Sequence, residues 1–249
     1  MSDKTKVKED TSPVVERFLR YKLVVQGRSP KTVEEYRIDL HTFFSYLIAT
    51  RAGLSPSDDG FYDVSISGVD NDFVKSVTTL DILEFLVYTA NERGNSTASR
   101  ARKLSALKAF FKYMVATEKV MEKNPAIDIE TPKRKASLPK YLTESESVSL
   151  LSSVLDDTES RTKERDFCII TLFLNCGMRL SELVGINLSD IDRELRSMRV
   201  VGKGNKERIV YLNDACREAL TAYLNCRAKN METIKDKNAL FISRLGKRI

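Results

Sequence analysis

Gly177-Met178-Arg179-Leu180-Ser181-Glu182-Leu183-Val184-Gly185 and Val201-Gly202-Lys203-Gly204-Asn205-Lys206-Glu207-Arg208 are the stretches on which the reading of this chain turns. The first follows a nearly all-apolar segment, about Lys163 to Asn175, which predicts a central helix closed by Gly177 as its C′ glycine. A new helical turn then opens beside Arg179, with a carboxylate, Glu182, three residues on. In the second stretch, Ser197–Val201 and Glu207–Leu212 flank the turn residues Gly202-Lys203-Gly204-Asn205-Lys206, the pattern of a two-strand hairpin. A fixed guanidinium near a lysine on a glycine-rich turn is a set of groups suited to a phosphodiester. The arginine holds the non-bridging oxygens and the ammonium protonates a departing oxygen.

Working outward, the flanking segments are helical. Thr143-Glu144-Ser145-Glu146 is close to a capping box, and a helix from about Asp214 to Ala228 follows the hairpin. Ala239-Leu240-Phe241-Ile242 is a short apolar run with little chain after it to pack against. Toward the N-terminus, Ser12-Pro13 and Ser29-Pro30 each pair an N-cap serine with proline at the first helical position. The first helix is expected to run to about Val25 and stop at Gly27. In the second, Val33, Tyr36, Leu40, Phe43, Phe44 and Leu47 share one face. Residues 51–68 read as loop, Thr79–Ala90 as a third helix, and Asn95-Ser96-Thr97 as the start of a fourth with Leu104, Leu107, Phe111 and Met114 as its core stripe. Prolines 125, 132 and 139 and the basic run Lys133-Arg134-Lys135 mark a connector.

The expected architecture is therefore mainly α in two units. A disordered arm (1–11) precedes a helical bundle (12–120), a linker (121–140) and a mixed α/β unit (141–249) with a small antiparallel sheet.

Composition narrows the function classes. Of 249 residues, 42% are hydrophobic and 31% charged, as in a globular chain with a well-solvated surface. The longest apolar run, Phe167–Leu174, is interrupted by Thr171 and far below the ~20 residues of a membrane span. Met1-Ser2-Asp3-Lys4 opens no secretory signal, which points to the cytoplasm. Cys168, Cys176, Cys216 and Cys226 have no C-x-x-C spacing, and His41 is the single histidine, so a structural zinc site is not expected and the cysteines read as buried reduced thiols. The net charge is +6 and unevenly spread. Between Gly94 and Thr117 lie five bases and no acid, and between Asp58 and Asp72 five acids and no base. One face is thus suited to a polyanion.

Five stretches in order resemble the tyrosine recombinases of the phage-integrase family, most closely the Xer type. They are Ser29-Pro30-Lys31-Thr32 through Leu40, Arg102-Lys103-Leu104 through Phe111, Asn124-Pro125-Ala126 with Leu138–Thr143, Arg165-Asp166 ahead of Gly177–Leu183, and Gly202–Arg208. The resemblance implies a SAM-like core-binding bundle and a catalytic domain clamped on duplex DNA. It also implies strand cutting through a 3′-phosphotyrosine without metal or cofactor, and tetramers of protomers on paired half-sites, in chromosome-dimer resolution or mobile-element integration.

By that resemblance Arg179 is the first catalytic arginine, Lys203 the general acid and Glu182 a supporting carboxylate. Lys206 and Arg208 become DNA contacts, Lys206 being also the second choice for the acid. In the bundle, Ser29, Lys31 and Thr32 at a helix N-terminus and Arg100, Arg102, Lys103 and Lys108 on the basic helix are expected on DNA, mostly at phosphates. The family's His-x-x-Arg motif and nucleophilic tyrosine have no match here. Tyr211 and Tyr223 read as packing residues. The catalytic domain is therefore expected to be incomplete at its C-terminus, so that the chain binds DNA without cutting it. A non-catalytic regulator or decoy derived from a recombinase is the alternative.

Overall fold

A computed structural model describes residues 10–133, 138, 140–202, 204–229 and 231–249. The chain forms two compact units, Met1–Ser137 and Leu138–Ile249.

The first unit is a helical bundle. Helix α1 (Pro13–Arg20) is capped by Ser12, whose hydroxyl accepts from Val15 N, and passes into a π-helical turn at Tyr21–Val25. There the Lys22 ammonium lies 5.1 Å from the Phe18 ring centroid and 5.7 Å from that of Tyr36, and donates to Gln26 Oε1 at 3.0 Å. Gly27, at φ +59°, ends the turn where the sequence places the stop. Helix α2 (Pro30–Arg51) buries the anticipated Val33, Leu40, Phe43, Phe44 and Leu47. A short helix, α3 (Asn71–Lys75), was hidden in the acidic stretch and is started by an Asp70 cap. Helices α4 (Thr79–Asn91) and α5 (Thr97–Ala116) complete the bundle, α4 with a full Thr78–Asp81 capping box.

The core is aromatic. Phe18, Phe43, Phe44, Phe85, Phe110 and Phe111 are fully buried and meet mostly edge to face, as in Phe18–Phe110 at 5.4 Å and Phe43–Phe85 at 5.2 Å. Two segments read as loop and linker belong in part to this core. The 51–68 loop contributes Phe61 and Ile66, and the first part of the 121–140 linker contributes Ala126 and Ile129. Asn124 ties that linker down by donating to Lys108 O at 3.2 Å. Within the expected disordered arm, Asp10 is held by Ser65, by the Ile66 amide and by His41 Nε2 at 2.8 Å. Thr11 donates to Glu16 at 2.9 Å. Residues 1–9 of that arm, and Arg134, Lys135 and Pro139 of the connector, lie outside the described residues.

The second unit begins with α6 (Glu144–Asp156), opened by the Thr143–Glu146 capping box. Helix α7 (Lys163–Cys176) ends at Gly177, which adopts the left-handed conformation at φ 55°, ψ 36°. It is less central than its composition suggests. Cys168, Thr171 and Leu172 are buried, while Phe167, Ile169 and Phe173 are only partly covered and Leu174 is 40% exposed. A short α8 (Leu180–Gly185) leads to strands β1 (Ser197–Val201) and β2 (Glu207–Tyr211), antiparallel with Ser197 opposite Tyr211 and Val201 opposite Glu207. Helix α9 (Asp214–Lys229) then packs along α7.

The Ala239–Ile242 run does find partners. Ala239, Leu240 and Phe241 are buried, and Phe241 stacks on Tyr223 at 5.2 Å. Arg248 fastens the segment by donating to Val184 O, Ile186 O and Asn187 Oδ1 at 2.8, 3.0 and 2.6 Å.

Candidate nucleic-acid and phosphodiester site

Gly177 turns the chain out of α7 so that Arg179 becomes the N-cap of α8. Glu182, one turn later, folds back onto it and accepts from Arg179 N at 3.0 Å and from Arg179 Nη1 at 2.7 Å. The same carboxylate takes Arg208 Nη2 from β2 at 2.8 Å. Its side chain is 1% exposed, whereas those of Arg179 and Arg208 are 70% and 43% exposed. The Arg179 amide and the two guanidinium groups hold the Glu182 carboxyl at about 2, far below the usual carboxylate range. At neutral pH it is an anion that fixes the base of Arg179, whose outer surface stays open to solvent.

The hairpin reaches the same point through Gly202. Its amide donates to Lys206 O at 2.7 Å, and Gly204 and Asn205 close the turn at φ +76° and +58°. A Cβ at residue 202 would lie 3.0 Å from Glu182 Oε1 and 3.8 Å from Arg179 Nη1. Glycine at 202 is therefore what lets the turn's first residue settle against the Glu182–Arg179 pair. Lys203 itself lies outside the described residues. Lys206 is exposed at the far side of the turn.

Sequence reasoning missed the part played by Gly202 and the ion pair of Arg208 with Glu182, which leaves the Arg208 side chain 43% exposed. The parity of the strands carried part of this signal. Arg208 and the buried Val210 share one face of β2, while Ile209 and Tyr211 share the other and are exposed. Tyr211 is thus not a packing residue. Tyr223 is one: it is 4% exposed, its hydroxyl donating to Leu240 O at 2.9 Å and accepting from Ile242 N at 3.2 Å.

The candidate contacts of the bundle divide by burial. Lys31 is exposed beside the α2 N-terminus, where the Ser29 hydroxyl is committed to Thr32, 3.2 Å from its amide and 2.9 Å from its hydroxyl. Lys103 is not available to a ligand. It is buried, with Nζ 3.1 Å from an Asp39 carboxylate that is 1% exposed. Arg102 also pairs with Asp39, and with Glu35 at 2.9 Å, while remaining 41% exposed. Burial raises the Asp39 carboxyl and lowers the Lys103 ammonium. Asp39 falls between Tyr36 and Phe43 on the apolar face, a position from which Arg102-Lys103 could have been identified as internal partners. Lys108 is half-buried and donates to Ile127 O at 3.3 Å, and Arg100 is half-buried with Nη2 3.4 Å from Thr97. Among the described residues no cluster of three or more His, Cys, Asp or Glu side chains is placed to hold a metal ion. Nor, among them, is any helix long and apolar enough to cross a membrane.

The pattern of the phage integrase family matches residues 140–249, the unit holding Arg179 and the hairpin, and that of the phage integrase N-terminal SAM-like domain matches residues 70–118. Tyrosine recombinase XerC of Caldanaerobacter subterraneus subsp. tengcongensis is 46% identical over 237 residues, covering 95% of this chain and 65% of that protein. XerC of Myxococcus xanthus is 36% identical over 241 residues, covering 96% of this chain and 72% of the relative. The chain belongs to the phage integrase family of Xer-type tyrosine recombinases. It spans just under two thirds of the first of these relatives.

Among solved structures, the Tn1549 transposon integrase in complex with transposon right end DNA matches at TM-score 0.63 and 22% identity, covering 94% of this chain and 73% of that one. XerH site-specific recombinase bound to palindromic difH substrate matches at TM-score 0.60 and 20% identity, covering 95% and 73%. At these identities what is shared is the fold: a SAM-like helical unit and an integrase unit with a small antiparallel sheet.

Proposed function

We propose that the protein is a site-specific recombinase that binds duplex DNA at paired half-sites and acts by exchanging strands through a 3′-phosphotyrosyl link. The observation that carries this reading is the exposed Arg179 guanidinium, seated on the buried Glu182 carboxylate and flanked by Gly202 of the hairpin. A preorganised guanidinium lowers the barrier where negative charge builds on the non-bridging oxygens of a phosphodiester. Lys203, next to Gly202, is the proposed general acid for the departing 5′-oxygen, with Lys206 a DNA contact beside it. Glu182 supports Arg179 without touching DNA.

On the bundle, Lys31 and the exposed parts of Arg102 and Arg100 supply phosphate contacts, with Ser29 and Thr32 presenting the helix N-terminus. Strand exchange is proposed to take place between protomers assembled as tetramers on two DNA sites in the cytoplasm, in chromosome-dimer resolution or mobile-element integration.

The chain 1–249 is proposed to bind DNA without forming a covalent adduct. Tyr223 is enclosed, and Tyr211 points to the face of β2 opposite Arg208. Fluorescence anisotropy on duplexes selected from a random pool, followed by denaturing electrophoresis, tests both parts. The expected result is a complex that weakens steeply as salt rises and leaves no protein–DNA adduct. A complex that does not respond to salt would overturn the binding reading, and an adduct would overturn the second part.

A further inference from the structure

The end of α7 and the start of α9 meet at two sulfurs. Cys176 Sγ lies 3.8 Å from Cys216 Sγ, the contact distance of two unbonded sulfur atoms. The cysteines do not hold this approach by themselves. Beside them Asn213 Nδ2 donates to Asn175 Oδ1 at 2.8 Å, and Asn213 Oδ1 accepts from Cys216 N at 3.0 Å. The helix ends are thus clamped together by a neighbouring pair of amides, and the two thiols are left facing one another.

The thiols are unequal. Cys216 is buried. Cys176 is partly exposed and so the one of the pair that solvent can reach; burial pushes its thiol up, a rise that the Cys216 contact and the Arg208 charge only partly offset. Cys168 lies in the same core and is fully buried. Neither Arg179 nor the proposed DNA chemistry uses any of these sulfurs.

We infer that Cys176 and Cys216 form an oxidation site for peroxides, with Cys176 as the reacting thiol and Cys216 as the resolving one. The Cys176 thiolate attacks one peroxide oxygen and the O–O bond breaks. This gives a Cys176 sulfenic acid and, with hydrogen peroxide, a hydroxide that takes up a proton as water. The Cys216 sulfur then attacks the sulfenic sulfur, forming the S–S bond and releasing the sulfenic oxygen as a second water with the Cys216 proton. Two thiols are oxidised and one peroxide is reduced to two waters. Closing the bond draws the sulfurs together from 3.8 Å to about 2.05 Å. The resulting crosslink spans two helix ends three residues ahead of Arg179, on the far side of the Gly177 turn. Oxidation therefore restrains the segment that delivers the guanidinium.

The test uses the whole chain and does not depend on DNA. The protein is treated with millimolar hydrogen peroxide, its remaining thiols are alkylated, and intact mass and non-reducing peptide maps are recorded. The expected product has lost two hydrogens, leaves two of the four cysteines open to alkylation, and returns to four on adding a thiol reductant. It joins the tryptic peptide Asp166–Arg179 to Ile209–Arg217. Because the first of these peptides carries both Cys168 and Cys176, variants decide the assignment. Cys176→Ser and Cys176→Ala are expected to abolish the crosslink, and Cys168→Ser and Cys226→Ser to retain it, with circular dichroism confirming the fold of each. Four alkylatable thiols after peroxide treatment of the folded protein would overturn the inference. So would a crosslink that survives in Cys176→Ala, or one that joins two chains. Failure of DNA binding would leave this result untouched.

Discussion

Replacing Glu182 with glutamine removes the one charge on which the proposed site is built while keeping its size. The carboxylate is 1% exposed and takes three donors, two of them guanidinium nitrogens. Moving it from an ordinary 4.5 to about 2 corresponds to about 3 kcal/mol at full strength. Its partners are 70% and 43% exposed, so water screens much of that, and about 1–2 kcal/mol is the expected loss in Glu182→Gln at neutral pH. The sign follows from the depressed carboxyl. Its contribution is complete above about pH 4.5 and is lost as pH falls toward about 2. Urea unfolding of the two proteins at a series of pH values, followed by circular dichroism, measures the gap directly. The account expects a gap at neutral pH that narrows steadily below about pH 4.5. Equal midpoints at neutral pH, or a gap that stays constant into acid, would refute it.

Other perturbations separate the roles of neighbouring residues. Gly202→Ala places a methyl 3.0 Å from Glu182 Oε1 and is expected to cost about 1–3 kcal/mol and to weaken duplex binding, read by unfolding and anisotropy. Asp39→Ala strands the buried Lys103 ammonium and is expected to destabilise the bundle by about 3–5 kcal/mol in urea, whereas the double variant Asp39→Leu with Lys103→Met recovers most of that loss. Lys31→Gln should lower the slope of log affinity against log salt by about 0.9, and Lys103→Met should leave that slope unchanged, because only the first side chain is exposed.

Much of the fold was legible because local signals and burial agree. Ser12-Pro13, Ser29-Pro30, Gly27 and Gly177 each start or stop a helix where their backbone preferences require it. The two strands expected on either side of the Gly202–Lys206 turn pair antiparallel. What was hidden depends on contacts distant in sequence. Lys103 reads as one of five surface bases until Asp39, 64 residues earlier, is brought against it. The hold of Glu182 on one end of the Arg208 guanidinium, across 26 residues, is announced by no local signal. Phe61 lies in a stretch of Gly, Ser and Asp that no periodicity marks as core. The Ala239–Ile242 run looked unpartnered because its cover comes from Tyr223 and the arginine bonds of residue 248, neither of which a short apolar run announces.

The claim at the centre is that the Arg179 guanidinium, mounted on Glu182, holds a phosphate of duplex DNA. The most direct measurement is the salt dependence of duplex affinity for the wild type and for Arg179→Gln, on the same selected site. Loss of one phosphate contact predicts weaker binding and a slope shallower by about 0.9. Unchanged affinity and slope in a folded Arg179→Gln protein would contradict it.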